Sequence, residues 1–327
     1  MTGARPRPWS ASTITLLVTV ALFCATYSAG VIAFDGFLSL QVFLNLLVDN
    51  AFVAISAVGM TFVILSGGID LSVGSVMGLT TMVTASLIQD HGWSPAPAIA
   101  IALALGAAIG LVMGFVIVFF RVQPFVVTLA GMFLARGICY LIGIDSIGVD
   151  NELLTEVSVL RIPVGLDSSI TVNAIAALVM VAVALYIGHF TRFGRTVYAI
   201  GGNEQSALLM GLPVARTKVL IYTFNGFCSA LAGTAMMLYM MSGNPNHAQG
   251  MELDVIAAVV IGGTLLNGGS GYVVGTLLGV LLGGTIQSLI AFDGTLSSWW
   301  TKIFIGLLLL AFCLLQRLFE RRNRRVA

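Results

Sequence analysis

Charged residues are scarce in this chain. Only 9% of its 327 residues are Asp, Glu, Lys or Arg, whereas 58% are hydrophobic, and the mean hydropathy is +1.02. A soluble domain carries about 25% charged residues, because its surface must be hydrated. So few charges exclude a soluble globular protein of this size. The apolar residues fall in runs of about 20, the length of helix that crosses the hydrocarbon core of a bilayer.

Devices for catalysis and nucleotide binding are also missing. The only lysines are Lys218 and Lys302, and neither follows the GxxxxGK[ST] loop that cradles phosphates. The three histidines lie at ends of apolar runs, and the four cysteines sit singly inside apolar segments, which favours packing over a metal or disulfide site. The sequence therefore predicts a non-catalytic protein with no cofactor, no metal and no nucleic-acid partner. Any ATP it uses must be hydrolysed by another chain.

The apolar runs predict ten transmembrane helices in one all-α, polytopic membrane domain covering residues 1–327, with short tails at 1–12 and 317–327. The segment Leu253–Leu266 is short for a full crossing, so it could be a broken or re-entrant helix. The first run could be a signal peptide, but it continues to Phe34, which favours a retained helix. The predicted spans are Ile14–Phe34, Leu44–Leu65, Val73–Ile88, Ala96–Phe120, Phe125–Gly143, Ile170–Phe190, Lys218–Met241, Leu253–Leu266, Tyr272–Phe292 and Trp299–Leu315.

Basic residues are concentrated on one side of this topology. Ten spans place both termini and the loop Thr191–Thr217 on the same side, together with 12 of the 15 Lys and Arg residues. The exceptions are Arg136 within a span, where we expect a structural ion pair, and Arg161 and Lys302 on or near the other side. Because basic loops stay inside, both termini are predicted to be cytoplasmic, with the chain in a bacterial inner membrane.

Glycine is abundant, at 37 residues, and it repeats every fourth position in two of the predicted spans. Glycines at this spacing share one helix face and let a second backbone approach closely. The pattern predicts tight helix crossings, either within the chain, which we favour, or at a subunit interface. The two sets are Gly106, Gly110 and Gly114, and Gly271, Gly275, Gly279 and Gly283.

Two glycine-containing segments resemble each other. Val63–Gly78 and Thr264–Gly279 align without a gap with six identities, including the pairs Gly67–Gly68 and Gly268–Gly269. Internal repeats with broken helices at their interface are common in transporters. The alignment therefore leaves two interpretations open, an internal repeat or a chance similarity in a glycine-rich chain.

The segment Leu65–Ser75 (LSGGIDLSVGS) is the most polar interruption within the membrane region. An ionised carboxylate in hydrocarbon costs several kcal/mol, so Asp70 must face water, a cavity or a partner. One interpretation is a gate formed by Asp70 with Ser66 and Ser72. The other, which we favour, is a helix cap in which the carboxylate accepts the backbone N–H of Val73.

The basic loop Thr191–Thr217 predicts a capped helix of about two turns. Two glycines break the structure before this helix, and an Asn is placed to cap its N-terminus. A Gly is placed to end the helix, and a Pro two residues later prevents its continuation. Such a short helix must pack against something, either the bilayer surface or a docked partner. The residues that carry this prediction are Gly201, Gly202, Asn203, Glu204, Gly211 and Pro213.

Three segments together resemble the permease subunits of ribose-type ABC sugar importers. They are GMTFVILSGGIDLSVGS (59–75), RFGRTVYAIGGNEQSALLMGL (192–212) and ELDVIAAVVIGGTLLNGGSG (252–271). The resemblance extends from about Asn45 to the last predicted span. Within that family, FDGTLSSWWTKI (292–303) and the segment 49–75 are most similar to the galactofuranose importers.

This resemblance implies an ABC importer permease fold and a subunit that moves galactofuranose or a related furanose or pentose from periplasm to cytoplasm. It implies three protein partners: a cytoplasmic ABC ATPase, a second permease in a homo- or heterodimer, and a periplasmic sugar-binding protein. It also implies that the segment Gly201–Leu212 is the coupling helix that meets the ATPase.

Polar side chains on otherwise apolar spans are candidates for the transport pathway, although most could simply bond neighbouring helices. An ion-gradient-driven secondary transporter and a structural membrane protein without a pathway remain alternatives to the importer. The gate and pathway candidates are Asn50, Ser56, Thr61, Ser66, Asp70, Ser72, Thr128, Asn225, Asn267 and Gln287.

Overall fold

The structure, a computed structural model, describes residues 11–165, 168–297 and 299–324. The predicted tail at 1–12 therefore lies almost wholly outside the described residues. The helices are α1 (Ala11–Ala33), α2 (Leu40–Asp49), α3 (Ala51–Leu65), α4 (Val73–Gln89), α5 (Pro95–Phe119), α6 (Pro124–Ile142), α7 (Glu152–Val159), α8 (Val172–Phe190), α9 (Arg192–Gly202), α10 (Glu204–Leu209), α11 (Val214–Met240), α12 (Met251–Ile261), α13 (Val273–Asp293) and α14 (Trp299–Arg324). The strands are β1 (Ile147–Gly148), β2 (Arg161–Gly165), β3 (Ser168–Thr171) and β4 (Ser242–Gly243).

Seven helices of the described chain, α1, α5, α6, α8, α11, α13 and α14, are long and apolar enough to cross a membrane. The pair α2 and α3 adds an eighth crossing if it is counted as one span, with a bend of 58° at Asn50. The all-α, polytopic membrane class is therefore confirmed. By length and composition, the described residues hold seven or eight spans where the sequence predicts ten. The predicted span Leu44–Leu65 is bent, and two others correspond to shorter helices, α4 and α12.

The short helix α12 follows a segment that re-enters the protein. Its 11 residues cover about 16 Å, roughly half of the hydrocarbon thickness. Residues 243–250 run along α4, with Gly243 packed against Thr81 and Ala248 packed against Gly74. The prediction that this segment is too short for a full crossing is thus confirmed, because α12 has only 11 residues. That it forms a re-entrant segment together with residues 243–250 stays a prediction.

Arg136 supports the re-entrant loop. Its guanidinium donates hydrogen bonds to the carbonyl oxygens of Pro245 and His247, the latter at 2.9 Å. Irregular backbone at membrane depth needs such donors, because no bulk water is present to satisfy its carbonyl groups. The expected ion pair at Arg136 is wrong, because the partners of this side chain are backbone carbonyls and not a carboxylate.

Helix α11 lies at the centre and packs against α3, α4 and α5. The glycines of α5 face its backbone: a Cβ at Gly106 would lie 2.7 Å from the carbonyl oxygen of Gly226, and one at Gly110 would collide with that of Tyr222. Gly279 of α13 meets the carbonyl of Ala258 on α12 in the same way. At these positions the small residues serve internal packing, as favoured from the sequence.

The molecule has two chemically different ends. Helices α9 and α10 lie at one end with Arg192, Arg195 and Arg216, and we call it the basic face. Helix α11 spans about 40 Å to the other end, the acidic face, which carries α7 and the β2–β3 hairpin. The connection between the predicted spans Phe125–Gly143 and Ile170–Phe190 contains regular structure: β1 pairs antiparallel with β4, and β2 pairs antiparallel with β3. Helix α14 continues to Arg324, so the predicted tail from 317 is largely helical.

Candidate functional site

Helix α10 is built as the sequence predicts. The side chain of Asn203 accepts a hydrogen bond from the backbone N–H of Ser206 at 2.8 Å, and Gly211 adopts a left-handed φ of 75° just after the helix. Glu204 in the first turn forms an ion pair of 2.6 Å with Lys218 of α11. Pro213 stands at the start of α11. The helix is therefore fixed at both ends and tied to the central helix of the fold.

The predicted break lies one residue after the glycines: Gly201 and Gly202 form the last turn of α9, and the chain turns at the extended residue Asn203. Their importance lies in what they touch. A Cβ at Gly201 would collide with the carbonyl oxygen of Leu65, at the end of α3, and with the backbone of Gly269. Glycine is required at this position by close backbone contact, which the sequence pattern of a loop does not reveal.

Three elements meet where these glycines lie, and we call this contact the glycine junction. The backbone N–H of Gly269 donates to the carbonyl oxygen of Leu65 at 2.9 Å. A Cβ on Gly268 would lie 2.8 Å from the backbone nitrogen of Gly67. The two segments that align in the sequence therefore touch in the fold, and α9 packs against Leu65 of one and Gly269 of the other. The members of the junction are Gly67, Gly201, Gly202, Gly268 and Gly269.

Tyr198 adds a side-chain bond to the same contact. Its hydroxyl donates to the carbonyl oxygen of Gly271 at 3.0 Å. Burial raises the pKa of this phenol, so it remains a hydrogen-bond donor at neutral pH. Displacement of α9 would therefore be transmitted to the end of α3 and to the segment between α12 and α13.

The C-terminal part of α10 and the residue after it expose apolar side chains. Ala207 is buried against Ile200 and Val214, whereas the next three side chains, Leu208, Leu209 and Met210, are 64%, 88% and 67% exposed. Three consecutive apolar side chains held outward on a capped element are typical of a surface that binds a protein or the membrane. The sequence analysis missed these residues, although LLM within a basic, polar loop was a visible signal.

Asp70 forms a buried network and not the predicted cap. One carboxylate oxygen accepts from the backbone N–H of Ser72 at 2.8 Å and from its hydroxyl at 2.6 Å, and the other accepts from the amide of Asn225 at 2.8 Å. Val73 is not a partner, because the carboxylate turns back onto Ser72. We call Asp70, Ser72 and Asn225 the Asp70 network; all three side chains are at most 1% exposed.

Several other pathway candidates also bond within the packed interior. Thr61 bonds the hydroxyl of Thr276 at 2.8 Å, and Thr128 donates to the carbonyl oxygen of Ile69 at 3.3 Å. Ser66 donates to the carbonyl oxygen of Val63 in its own helix end, Ser56 is fully buried in α3, and Asn267 lies beside the glycine junction. Ser56, Thr61 and Thr128 thus lie in packed positions, whereas Ser66 is half-buried and Asn267 is exposed.

Two candidates, Asn50 and Gln287, instead border open space. They line a cavity of about 450 Å³ between the α2–α3 bend and helices α12, α13 and α14. The same cavity is lined by Asp254 and Lys302, which form an ion pair, and by Thr301. We call this cavity the polar cleft. The sequence analysis missed Asp254 and Lys302, since 48 residues separate them and no local pattern connects them.

Comparison with known proteins fits this architecture. A family model described as the permease component of branched-chain amino acid transport systems matches residues 42–313. The chain belongs to this permease family.

Individual relatives are similar over nearly their whole length. The permease is 46% identical over 312 residues to the inner membrane ABC transporter permease protein YjfF of Escherichia coli (strain K12), covering 94% of each chain. It is 40% identical over 310 residues to the fructose import permease protein FruG of Bifidobacterium longum (strain NCC 2705), covering 93% of this chain and 91% of that one. It is 41% identical over 274 residues to the ribose import permease protein RbsC of Bacillus subtilis (strain 168), covering 84% of each. No solved structure matches the chain.

Proposed function

We propose that this chain is the membrane subunit of an ATP-driven importer that moves a small sugar from the periplasm to the cytoplasm. The observation that carries the proposal is α10, a capped helix whose exposed apolar side chains Leu208, Leu209 and Met210 contact nothing that would hide them within the described chain. In an importer of this kind the ATPase occupies that surface. The basic face is then cytoplasmic, both termini included, and residues 1–327 form one transmembrane domain.

The glycine junction supplies the mechanical link in this proposal. A push on α10 passes through α9 to the carbonyl of Leu65 and to Gly269, where two glycine-containing turns meet. Direct backbone contacts should transmit a displacement of one element to the next. Packed interfaces switch between discrete arrangements and do not deform continuously. ATP hydrolysis by the partner would thus shift the ends of α3 and α12 together.

The substrate proposal is narrower. Two relatives are named for the import of fructose and ribose, which supports a sugar of this size. The similarity of segments 49–75 and 292–303 to galactofuranose importers supports galactofuranose or a related furanose or pentose. The partners would be a cytoplasmic ABC ATPase, a second permease in a homo- or heterodimer, and a periplasmic sugar-binding protein. A thermal-shift titration of that binding protein with galactofuranose and with ribose would name the sugar.

The docking role is tested by co-purification with the ATPase. Replacing residues 203–211 with a glycine–serine linker of equal length removes α10 and should abolish association. Leu209→Ser should weaken it, whereas Leu153→Ser should not, since Leu153 is an exposed leucine of the short helix α7 on the acidic face. ATPase binding that survives the linker exchange would contradict the proposed docking site.

The alternative is a secondary transporter driven by an ion gradient. It predicts sugar uptake by this chain alone in liposomes with a proton or sodium gradient and no ATPase. The exposed tip of α10 and the similarity to ABC permeases favour the importer. Uptake by the isolated chain under a gradient would establish the alternative.

A further inference from the structure

We propose that the polar cleft is a sugar-binding site within a single permease subunit. The inference rests on the proposed function, because it names a place where the imported molecule is held. The cleft lies between the α2–α3 bend, the re-entrant half-helix α12, and helices α13 and α14. It thus joins the two interrupted regions of the fold, the bend and the re-entrant segment, at one open space.

The dimensions of the cleft suit a monosaccharide. Its volume of about 450 Å³ lies within the range of small-molecule sites, roughly 300–1,000 Å³. The lining residues on α13 run from Gly279 to Ala291, so the cleft follows that helix for about 18 Å, a little over half of the hydrocarbon thickness. A sugar entering from the acidic face would therefore travel well into the membrane before meeting packed protein.

The chemistry of the lining suits a neutral molecule with many hydroxyl groups. Asn50 and Gln287 supply amides that both donate and accept, Asp254 supplies a carboxylate, and Lys302 supplies an ammonium group. Asp49 adds a second carboxylate. Sugar hydroxyls both donate and accept, so they match each of these groups. Asp254 and Lys302 already pair with each other, and Asn50 donates to the carbonyl oxygen of Leu46. A sugar would therefore use Gln287 and the remaining lone pairs and N–H groups.

Two adjacent glycines on α13 shape the cleft in different ways. A Cβ at Gly283 would meet no atom within 4 Å, so its missing side chain leaves the cleft open at that level. A Cβ at Gly284 would collide with the amide of Asn50, so glycine there lets that amide sit beside the cleft. The 58° bend at Asn50 turns the same residue away from a regular helix surface. Gly283 thus leaves open space in the cleft, whereas Gly284 permits the close packing of Asn50 against α13.

The cleft is closed toward the basic face. Beyond Gly279, helices α12 and α13 touch backbone to backbone, so that a Cβ at Gly275 would collide with the carbonyl oxygen of Gly262. Gly262 begins the segment that connects α12 to α13, and Gly268 and Gly269 of the glycine junction lie further along that segment. This closed end lies next to the element that the ATPase would move.

The first test is protection of a cysteine. In a variant whose four native cysteines are replaced by alanine, Gly283→Cys places a thiol in the cleft, and Gly148→Cys in β1, outside the spans, is the control, since a Cβ there also meets no atom. A hydrophilic methanethiosulfonate should label Gly283→Cys in nanodiscs. A sugar (D-ribose, D-fructose or galactofuranose) at about five times its dissociation constant should slow labelling about sixfold by mass action. Unchanged labelling at 283 with all three sugars would overturn the proposal.

The second test is ATP-driven uptake with the ATPase and the binding protein present. Gly283→Leu should fill the cleft and lower uptake at least tenfold while ATPase association is retained, whereas Gly137→Leu should leave both unchanged. If the Gly283→Leu variant does not fold, Gln287→Leu, which keeps the side-chain size but loses the amide, serves instead and should raise the half-saturating sugar concentration.

The outcomes separate the two proposals. Wild-type protein that imports no sugar with its partners would overturn the proposed function. Wild-type import that Gly283→Leu and Gln287→Leu both preserve would overturn the cleft alone. A lipid chain found in the cleft of the wild-type protein, with no sugar protection, would also overturn it.

Discussion

The Asp70 network and the polar cleft are two polar regions in the same apolar matrix, and they use their side chains differently. In the network, Asp70 accepts three hydrogen bonds from Ser72 and Asn225, and all three residues are buried. In the cleft, the side chain of Lys302 is 52% exposed although it is paired with Asp254, and Gln287 borders open space. Polar residues on apolar helices thus divide into those that hold helices together and those that can meet a substrate.

The largest expected effect comes from breaking the network. Asp70→Ala leaves the hydroxyl and N–H of Ser72 and the amide of Asn225 buried without their acceptor, which should lower the free energy of unfolding by about 3 kcal/mol or more. Denaturation in mixed micelles, followed by circular dichroism, measures it. Asp70→Asn keeps one oxygen for Ser72 and should cost less. A loss below about 1 kcal/mol for the alanine variant would mean that the network is not structural.

Arg136→Met should have the next largest effect. The carbonyl groups of Pro245 and His247 would lose a charged donor, at a cost of about 2–3 kcal/mol. Amides of residues 244–250 should exchange hydrogen faster, whereas the exposed Arg216→Met should change neither property. Unaltered exchange in the loop would show that Arg136 does not support it.

The cleft should respond in the opposite way. Lys302→Met breaks a partly exposed ion pair, so it should change the free energy of unfolding by no more than about 1 kcal/mol, while sugar uptake falls. Stability and uptake measured on one preparation give the contrast. If Lys302→Met lowered the stability strongly but left sugar uptake per folded molecule unchanged, the polar groups of the cleft would have a structural role like that of the Asp70 network.

Local signals predicted the parts of the fold that local interactions build. Hydropathy located the long helices, and the caps of α10 follow from residues three positions apart, Asn203 and Ser206. The bend at Asn50 could not be predicted, because its side chain is accommodated by Gly284, a residue on another helix.

The site required contacts between distant parts of the chain. Asp70 and Asn225 are 155 residues apart, so the local rule of helix capping gave the wrong partner for the carboxylate. Gly201 was interpreted as a break because its true constraint, the carbonyl of Leu65, lies far away in the sequence. Only Asn50 and Gln287, of ten pathway candidates, line the cleft, since polarity alone does not reveal where open space lies.

The most direct test of the central claim is sugar uptake into proteoliposomes that contain the permease with its ATPase and binding protein, with and without ATP. We predict uptake only with ATP, and a reduction of at least about tenfold when Leu208 and Leu209 are both replaced by serine, because interface anchors of this kind contribute about 2 kcal/mol or more. ATP-independent uptake, or full ATP-driven uptake by the double variant, would contradict the account.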